Sequence, residues 1–479
     1  MSEDKLRAVF ADMVVLKKPD RAKFFSDLSL PAYMRDWLVM KFSDKDGNVD
    51  TNSVSRYIKQ YIPTSDEYEH SKYLMVNGET VRLLARLRVS IDMKSGNTLF
   101  ELPDFGGSKA GAGGEIAKSV TNKWQNTLFC ESEHWGIIDL AWEQDFSKKP
   151  PRGVVRLIAY QPFCPYTVDL GFYRDARRQF STAQWLDVLI SAVDYNPKGY
   201  DTDAQRLYFL RRLLPFVERR MNLIELAPLG TGKSYVFDNI SKYGWLVAAG
   251  TQSRSSLFYN NNTRTPGLVT QFDFVAFDEI QTMKFIDPAA IQTALKGYME
   301  TGNVKGFETQ IPASAGIIIL GNVDVFDANA NLVESIHPVF REAALDRFHG
   351  FIPGWEIPRF HQGLIADGWA LNTQYFADVL HELRTESMYD ALITDCLEIP
   401  QKADKRDVTA IERLCTGFVK LIFPHATKKS DISEEEFVRF CLEPAKEMRQ
   451  IIRNQLSFIK TREFGGEKLP VANIQYRKQ

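Results

Sequence analysis

Residues 221–240 run MNLIELAPLGTGKSYVFDNI: an apolar stretch with the length of a strand, a glycine-bearing turn, and a stretch able to open a helix. No other feature constrains the fold as much, because a strand, a Gly-rich loop and a helix in succession belong to a parallel α/β sheet. The glycines let successive backbone N–H groups turn toward one anion. Gly230, Thr231 and Gly232 would cradle phosphate, Lys233 would add a point charge, and the Ser234 hydroxyl could ligate Mg²⁺. The loop departs from its pattern at the first position, where Ala227 stands in place of glycine.

A second apolar run, Phe274-Val275-Ala276-Phe277, ends in Asp278-Glu279, as a Walker B strand does. The first carboxylate can hold Mg²⁺ through water, and Glu279 can orient and deprotonate an attacking water. A third run, Gly316 to Gly321, delivers Asn322, an amide able to position the same water. Ala344-Leu345-Asp346-Arg347-Phe348 then places Arg347 where a ring ATPase presents a finger to its neighbour. Taken singly, these are a solvated acid pair, a turn cap and a surface cation. In this order they predict ATP hydrolysis assisted by Mg²⁺.

The chain of 479 residues is long enough for two to four domains. With 59 basic and 61 acidic residues, its net charge points to no partner class, so nucleic-acid contacts must come from local patches. Cys130, Cys164, Cys396, Cys415 and Cys441 lack CxxC spacing, which suggests neither a zinc site nor a disulfide frame. No run is apolar and long enough to span a bilayer, and MSEDKLRAVF lacks the order of a signal peptide, so a cytoplasmic protein without membrane contact is expected.

Residues 1–65 read as a helical module, and residues 66–180 as a β-rich, OB-like domain of short alternating runs. Within the latter, FGGSKAGAGGE at 105–115 reads as a flexible loop. Ser181-Thr182-Ala183-Gln184 has the form of a capping box, and the ATPase core is placed at 181–385. Arg206, Arg211, Arg212, Arg219 and Arg220 read as a charged, solvated face, with contact to nucleic acid or a partner subunit as the alternative. Residues 386–479 read as a helical lid followed by a basic, solvated tail.

The combination NLIELAPLGTGKSYVF, VAFDEI, YMETGNVKGFETQIPASAGIIILGN and ALDRFHGFIPGWEIPR resembles BrxL, the Lon-related AAA+ ATPase family of BREX phage-resistance systems. The resemblance is specific across about 180–425. It implies an AAA+ core similar to that of MCM helicases, in a homo-oligomeric ring, a hexamer or stacked hexamers, that encircles double-stranded DNA beside other defence proteins. It also makes Lys305, in a hairpin between Tyr298 and Pro312, the residue expected at the phosphate backbone. Arg254 and Arg264 are secondary DNA contacts on this reading, and Arg406 is a second sensor arginine. Longer members carry a Lon-like protease domain; the residues after the last lid motif offer no matching nucleophile, so proteolysis is not expected. The rival readings are an ATP-controlled protein remodeller and an assembly switch without DNA translocation.

Overall fold

The computed structural model describes residues 3–478 except 20–23, 25–29, 45–46, 63–66, 94, 107–110, 130–132, 146–149, 164–165, 249, 262–264, 307–309, 342–343 and 465–472. The chain forms two compact units, one of residues 38–167 and one of residues 1–37 joined with 168–479. The expected 1–65 module is therefore divided between the two. The reason lies in helix α1 (Glu3–Phe10) and strand β1 (Val14–Lys17). Phe10 is fully buried among Phe172, Phe180, Trp185 and Tyr375. β1 pairs antiparallel with residues of a far later strand, Val14 opposite Leu371. The unit boundary falls within helix α2 (Ala32–Phe42).

In the smaller unit, strands β2 (Val81–Asp92), β3 (Asn97–Glu101), β4 (Gly113–Ile116), β5 (Glu133–Asp145) and β6 (Arg152–Pro162) close a barrel in the order β2-β3-β4-β6-β5. Alternation along the strands turns Leu83, Leu87, Phe100, Ile138, Leu140 and Leu157 into its core. Helix α3 (Lys118–Leu128) joins β4 to β5. Part of the glycine-rich stretch is structural: β4 runs parallel to β6, and a Cβ on Gly114 would stand 1.9 Å from the Val155 carbonyl oxygen. The flexible-loop reading fails there, because barrel closure brings two backbones closer than a side chain permits.

The larger unit is built on five parallel strands: β7 (Leu223–Ala227), β8 (Gly244–Val247), β9 (Phe274–Phe277), β12 (Gly316–Asn322) and β13 (Gly350–Pro353). Between β9 and β12 come helix α6 (Pro288–Thr301) and a hairpin of β10 (Asn303–Lys305) and β11 (Gln310–Pro312). The sheet order is β13-β7-β12-β9-β8. Its inner strands are buried on both faces, which is why they read as unbroken apolar runs. Helix α4 (Thr182–Ala192) opens with the capping box of Ser181 and Gln184, as its sequence predicts. The phosphate-loop helix α5 (Lys233–Asn239) follows β7.

After β13 come β14 (Gly368–Leu371), which receives β1, and helix α7 (Thr373–Leu383). Two long helices, α8 (Lys405–Ile422) and α9 (Glu443–Ile459), then pack on each other, and α9 packs on β13. A π-helical turn at Val438–Leu442 precedes α9. Pro444 explains it, because its ring and missing N–H oppose a regular turn over the preceding residues. The expected basic tail is partly internal. Arg449 and Arg453 are buried; Arg449 bonds Asp407 and Arg453 forms an ion pair with it, since an apolar helix face also carries these long side chains inward to buried acids.

Candidate nucleotide site

All five strands of the sheet point the same way, so β7, β9 and β12 end at one edge. That edge is where open α/β sheets bind ligands. The loop after β7 bends through Gly230 (φ +80°) and Gly232 (φ +73°), backbone conformations that side chains resist. Gly232 is doubly constrained, because the Tyr195 hydroxyl, which donates to the Gly232 carbonyl at 3.4 Å, occupies the space of a Cβ. Ala227 is accommodated because it is still strand: it pairs with Asn322 and carries no positive φ. The room it needs is provided by Gly354, whose Cβ would stand 2.4 Å from that of Ala227.

Lys233 and Ser234 open α5. Lys233 Nζ donates to Asn322 Oδ1 at 2.6 Å, and Ser234 Oγ donates to Asp278 Oδ2 at 2.5 Å. Three strand ends are thus tied together by the residues the sequence singles out. Burial pushes the Lys233 ammonium below its ordinary value, and the Glu225 and Asp278 carboxylates counter only part of that push. Its hydrogen-bond partner is a neutral amide, which the ammonium can exchange for a phosphate oxygen. Asp278 is buried, whereas Glu279 is exposed and held at φ +47°. The Thr282 backbone N–H, at 2.9 Å, and hydroxyl, at 3.1 Å, both donate to the Glu279 carbonyl and fix this strained turn. The residues fit a nucleoside triphosphate with Mg²⁺. The loop presents turned N–H groups and a cation, while one hydroxyl and one carboxylate leave most Mg²⁺ positions to phosphate and water, the usual arrangement for that ion.

Below the loop lies a pair that corrects the reading of the arginine run. Arg212 is fully buried, its guanidinium bonding Glu225 of β7 through Nε and Nη2 and the Thr231 carbonyl through Nη1 at 2.9 Å. Arg211 is buried as well and bonds Glu447 at 2.6 Å, so neither residue belongs to a solvated face. The sequence does carry a signal: Glu225 interrupts an otherwise apolar buried strand, and a buried carboxylate requires a partner. A second support meets the loop from the other side. Tyr235, next to Ser234, donates to Asp194 Oδ2 at 2.6 Å and accepts from Arg35, while Lys17 holds Asp194 Oδ1 at 2.6 Å. Burial alone would raise the Asp194 carboxyl, but Lys17 and Arg35 outweigh it and hold that group below its usual range.

Arg347 bonds Glu300 Oε2 of α6 at 2.6 Å. Arg406 bonds Asp346, which also receives Arg449 at 2.9 Å. Arg347 first and Arg406 after it hold the Glu300 carboxyl below its usual value, so the two arginines form one group. The structure therefore sets Arg406 beside Arg347 rather than at the phosphate loop of its own chain. Lys305 is exposed at the end of β10, and Arg254 donates to its carbonyl at 3.4 Å, which brings two of the expected DNA contacts together. Arg264 lies outside the described residues. Among the described residues, no helix is long and apolar enough to cross a membrane.

Comparison with known proteins places an ATPase domain over this part of the chain. The ATPase domain described as Lon-like protease BrxL-like matches residues 155–469, and the N-terminal domain of the BREX system Lon protease-like protein BrxL matches residues 8–142. The chain is 29% identical over 467 residues to Lon-like protease BrxL of Escherichia coli O9:H4 (strain HS), covering 95% of this chain and 64% of that protein. It is also 29% identical over 471 residues to Lon-like protease BrxL of Bacillus cereus (strain H3081.97), covering 96% and 67%. The chain thus spans about two thirds of the length of these relatives.

Proposed function

This chain belongs to the BrxL family, and on that premise we propose that it is an AAA+ ATPase that forms rings around duplex DNA in BREX-type phage defence. The observation that carries the reading is the junction of three strand ends at Lys233, Ser234, Asp278 and Asn322. ATP with Mg²⁺ would supply the phosphoanhydride to be cleaved and the charge that steadies it. Lys233 exchanges its neutral amide partner for phosphate. Asn322, released from the lysine, aligns the attacking water. Ser234 and Asp278 would hold the metal, Glu279 takes the proton of the water, and the loop amides of Gly230 to Gly232 bind the phosphates. Arg347 acts on a neighbouring subunit with Arg406 beside it, the pair being oriented by Glu300 and Asp346. The five-stranded barrel is an OB-like DNA-binding domain, and α8 and α9 are the lid.

Contact with DNA is supported by the hairpin at β10–β11, whose Lys305 is exposed beside Arg254. Measuring ATP turnover with and without duplex DNA, together with the native mass of the assembly, tests the whole reading. A ring mass and DNA-stimulated turnover are expected. A monomer whose turnover ignores DNA would overturn it in favour of a remodeller or an assembly switch.

A further inference from the structure

At the other edge of the same sheet, a cavity of about 510 Å³ opens between the starts of β7 and β12 and the base of the β10–β11 hairpin. Arg219 and Arg220 lead into β7 and Ser314 leads into β12. Arg220 has φ +49°, a conformation that non-glycine residues avoid, and its backbone N–H bonds the Ser314 carbonyl at 2.9 Å. Its guanidinium lies against Gly302, the left-handed residue ending α6, where a Cβ would be 2.4 Å from Nη1. Backbone and neighbour are both shaped to bring this side chain into the cavity.

Once there, it has no partner. Among the described residues, the half-buried Arg220 guanidinium makes no hydrogen bond and no ion pair, and Arg413 beside it carries the same charge. The other lining groups are largely committed. Glu218 receives Lys420 at 2.8 Å and stands 3.7 Å from Arg413, and Glu386 is held by Arg174 at 2.5 Å. Arg384 is spent on backbone carbonyls and Asp273. The remaining acid, Asp390, is exposed and accepts from Thr416 at 3.4 Å. Half-burying a guanidinium beside a second cation, with its nearest acid, Glu218, already shared by Lys420 and Arg413, is unfavourable unless a further anion completes the site.

We propose that this cavity is an oxyanion site of the phosphate class, in which Arg220 provides the forked donor, Arg219 and Arg413 add charge, and Ser314 adds a hydroxyl. The phosphate group is carried either by a free small molecule or by nucleic acid passing the hairpin. The site is separate from the nucleotide loop and does not depend on hydrolysis there.

The test uses the full chain with Lys233→Ala, which silences the phosphate loop, titrated calorimetrically with inorganic phosphate. Adding Arg220→Gln should weaken phosphate binding at least ~10-fold, and Arg220→Lys less, since charge persists without the fork. Because a substitution at a strained residue can disturb folding, a second measurement uses the unsubstituted chain. Phenylglyoxal modification of Arg220, mapped by mass spectrometry, should be blocked by phosphate but not by chloride at equal ionic strength. Protection by a short DNA duplex at lower concentration than phosphate assigns the group to nucleic acid; protection by phosphate alone assigns it to a free ligand. Equal phosphate affinity with and without Arg220, or labelling indifferent to phosphate, overturns the proposal.

Discussion

Lys233 and Arg212 both hold the phosphate loop, yet they are bound in opposite ways. Arg212 is bound through all three nitrogens: three contacts to Glu225 at 2.5 to 3.1 Å and two to Thr231, its carbonyl and its hydroxyl, leave none of them to exchange. Lys233 has a single bond, to a neutral amide. A saturated buried pair can only hold shape, because breaking it strands a charge in a low-dielectric interior. A cation on one neutral acceptor can leave it for an anionic one at little cost. The same contrast separates Ser234 on Asp278 from Arg449, which is enclosed by Asp407, Asp346 and two carbonyls. On the proposed function, charges at the rim serve turnover and those beneath it serve the scaffold.

The largest effect should therefore come from the rim. Arg347→Ala is expected to lower turnover by on the order of 10³ or more while leaving the melting temperature almost unchanged. Mixed with excess Lys233→Ala subunits, it should regain activity, since some interfaces then join an intact pocket to an intact arginine. No recovery in rings shown to be mixed would remove Arg347 from that role. Glu279→Gln should keep nucleotide binding and lose hydrolysis by about 10²- to 10⁴-fold, as the amide takes no proton. Turnover at the unsubstituted rate would show that the base is elsewhere.

Beneath the rim the expected loss is of stability. Arg212→Met leaves Glu225 buried and uncompensated and should cost about 3–5 kcal/mol in denaturant unfolding, much of it regained by adding Glu225→Leu. A variant of normal stability that no longer bound nucleotide would erase the distinction between the two kinds of charge. The smallest effect belongs to Lys305→Ala, which should lower the salt slope of DNA binding by roughly one unit for each phosphate that the lysine neutralises, with similar reductions in affinity for unrelated sequences. An unchanged slope would reduce the hairpin to an ordinary turn.

What is legible in the sequence is local. The loop at 227–234, the acid pair after Phe277 and the amide after Gly321 each follow an apolar run directly, so strand, turn and side chain are specified within a few residues. The capping box at Ser181 is equally local. Longer-range arrangements are hidden. Nothing near Arg406 announces Asp346, and nothing in GAGGE announces that β4 must pass β6 with no space for a side chain. The arginines at 211 and 212 depart from the expected solvated face because a helical charge run carries no mark of which members find buried acids, here Glu447 and Glu225. Arg254, expected from the resemblance, stands beside Lys305, a neighbourhood for which the sequence offers no geometry.

The pairing of β1 with β14 has a temporal side. Lys17 bonds Thr373 across 356 residues of chain, and everything of the barrel unit is threaded between them. On a ribosome adding about 5–20 residues per second, the first strand must wait on the order of a minute or less for its partner to be made. During that wait the barrel, whose strands are all consecutive, can finish first, while Phe10 and Lys17 remain without their pockets. The larger unit thus matures after the barrel, and its phosphate loop gains the Lys17–Asp194–Tyr235 brace only once β14 has been made.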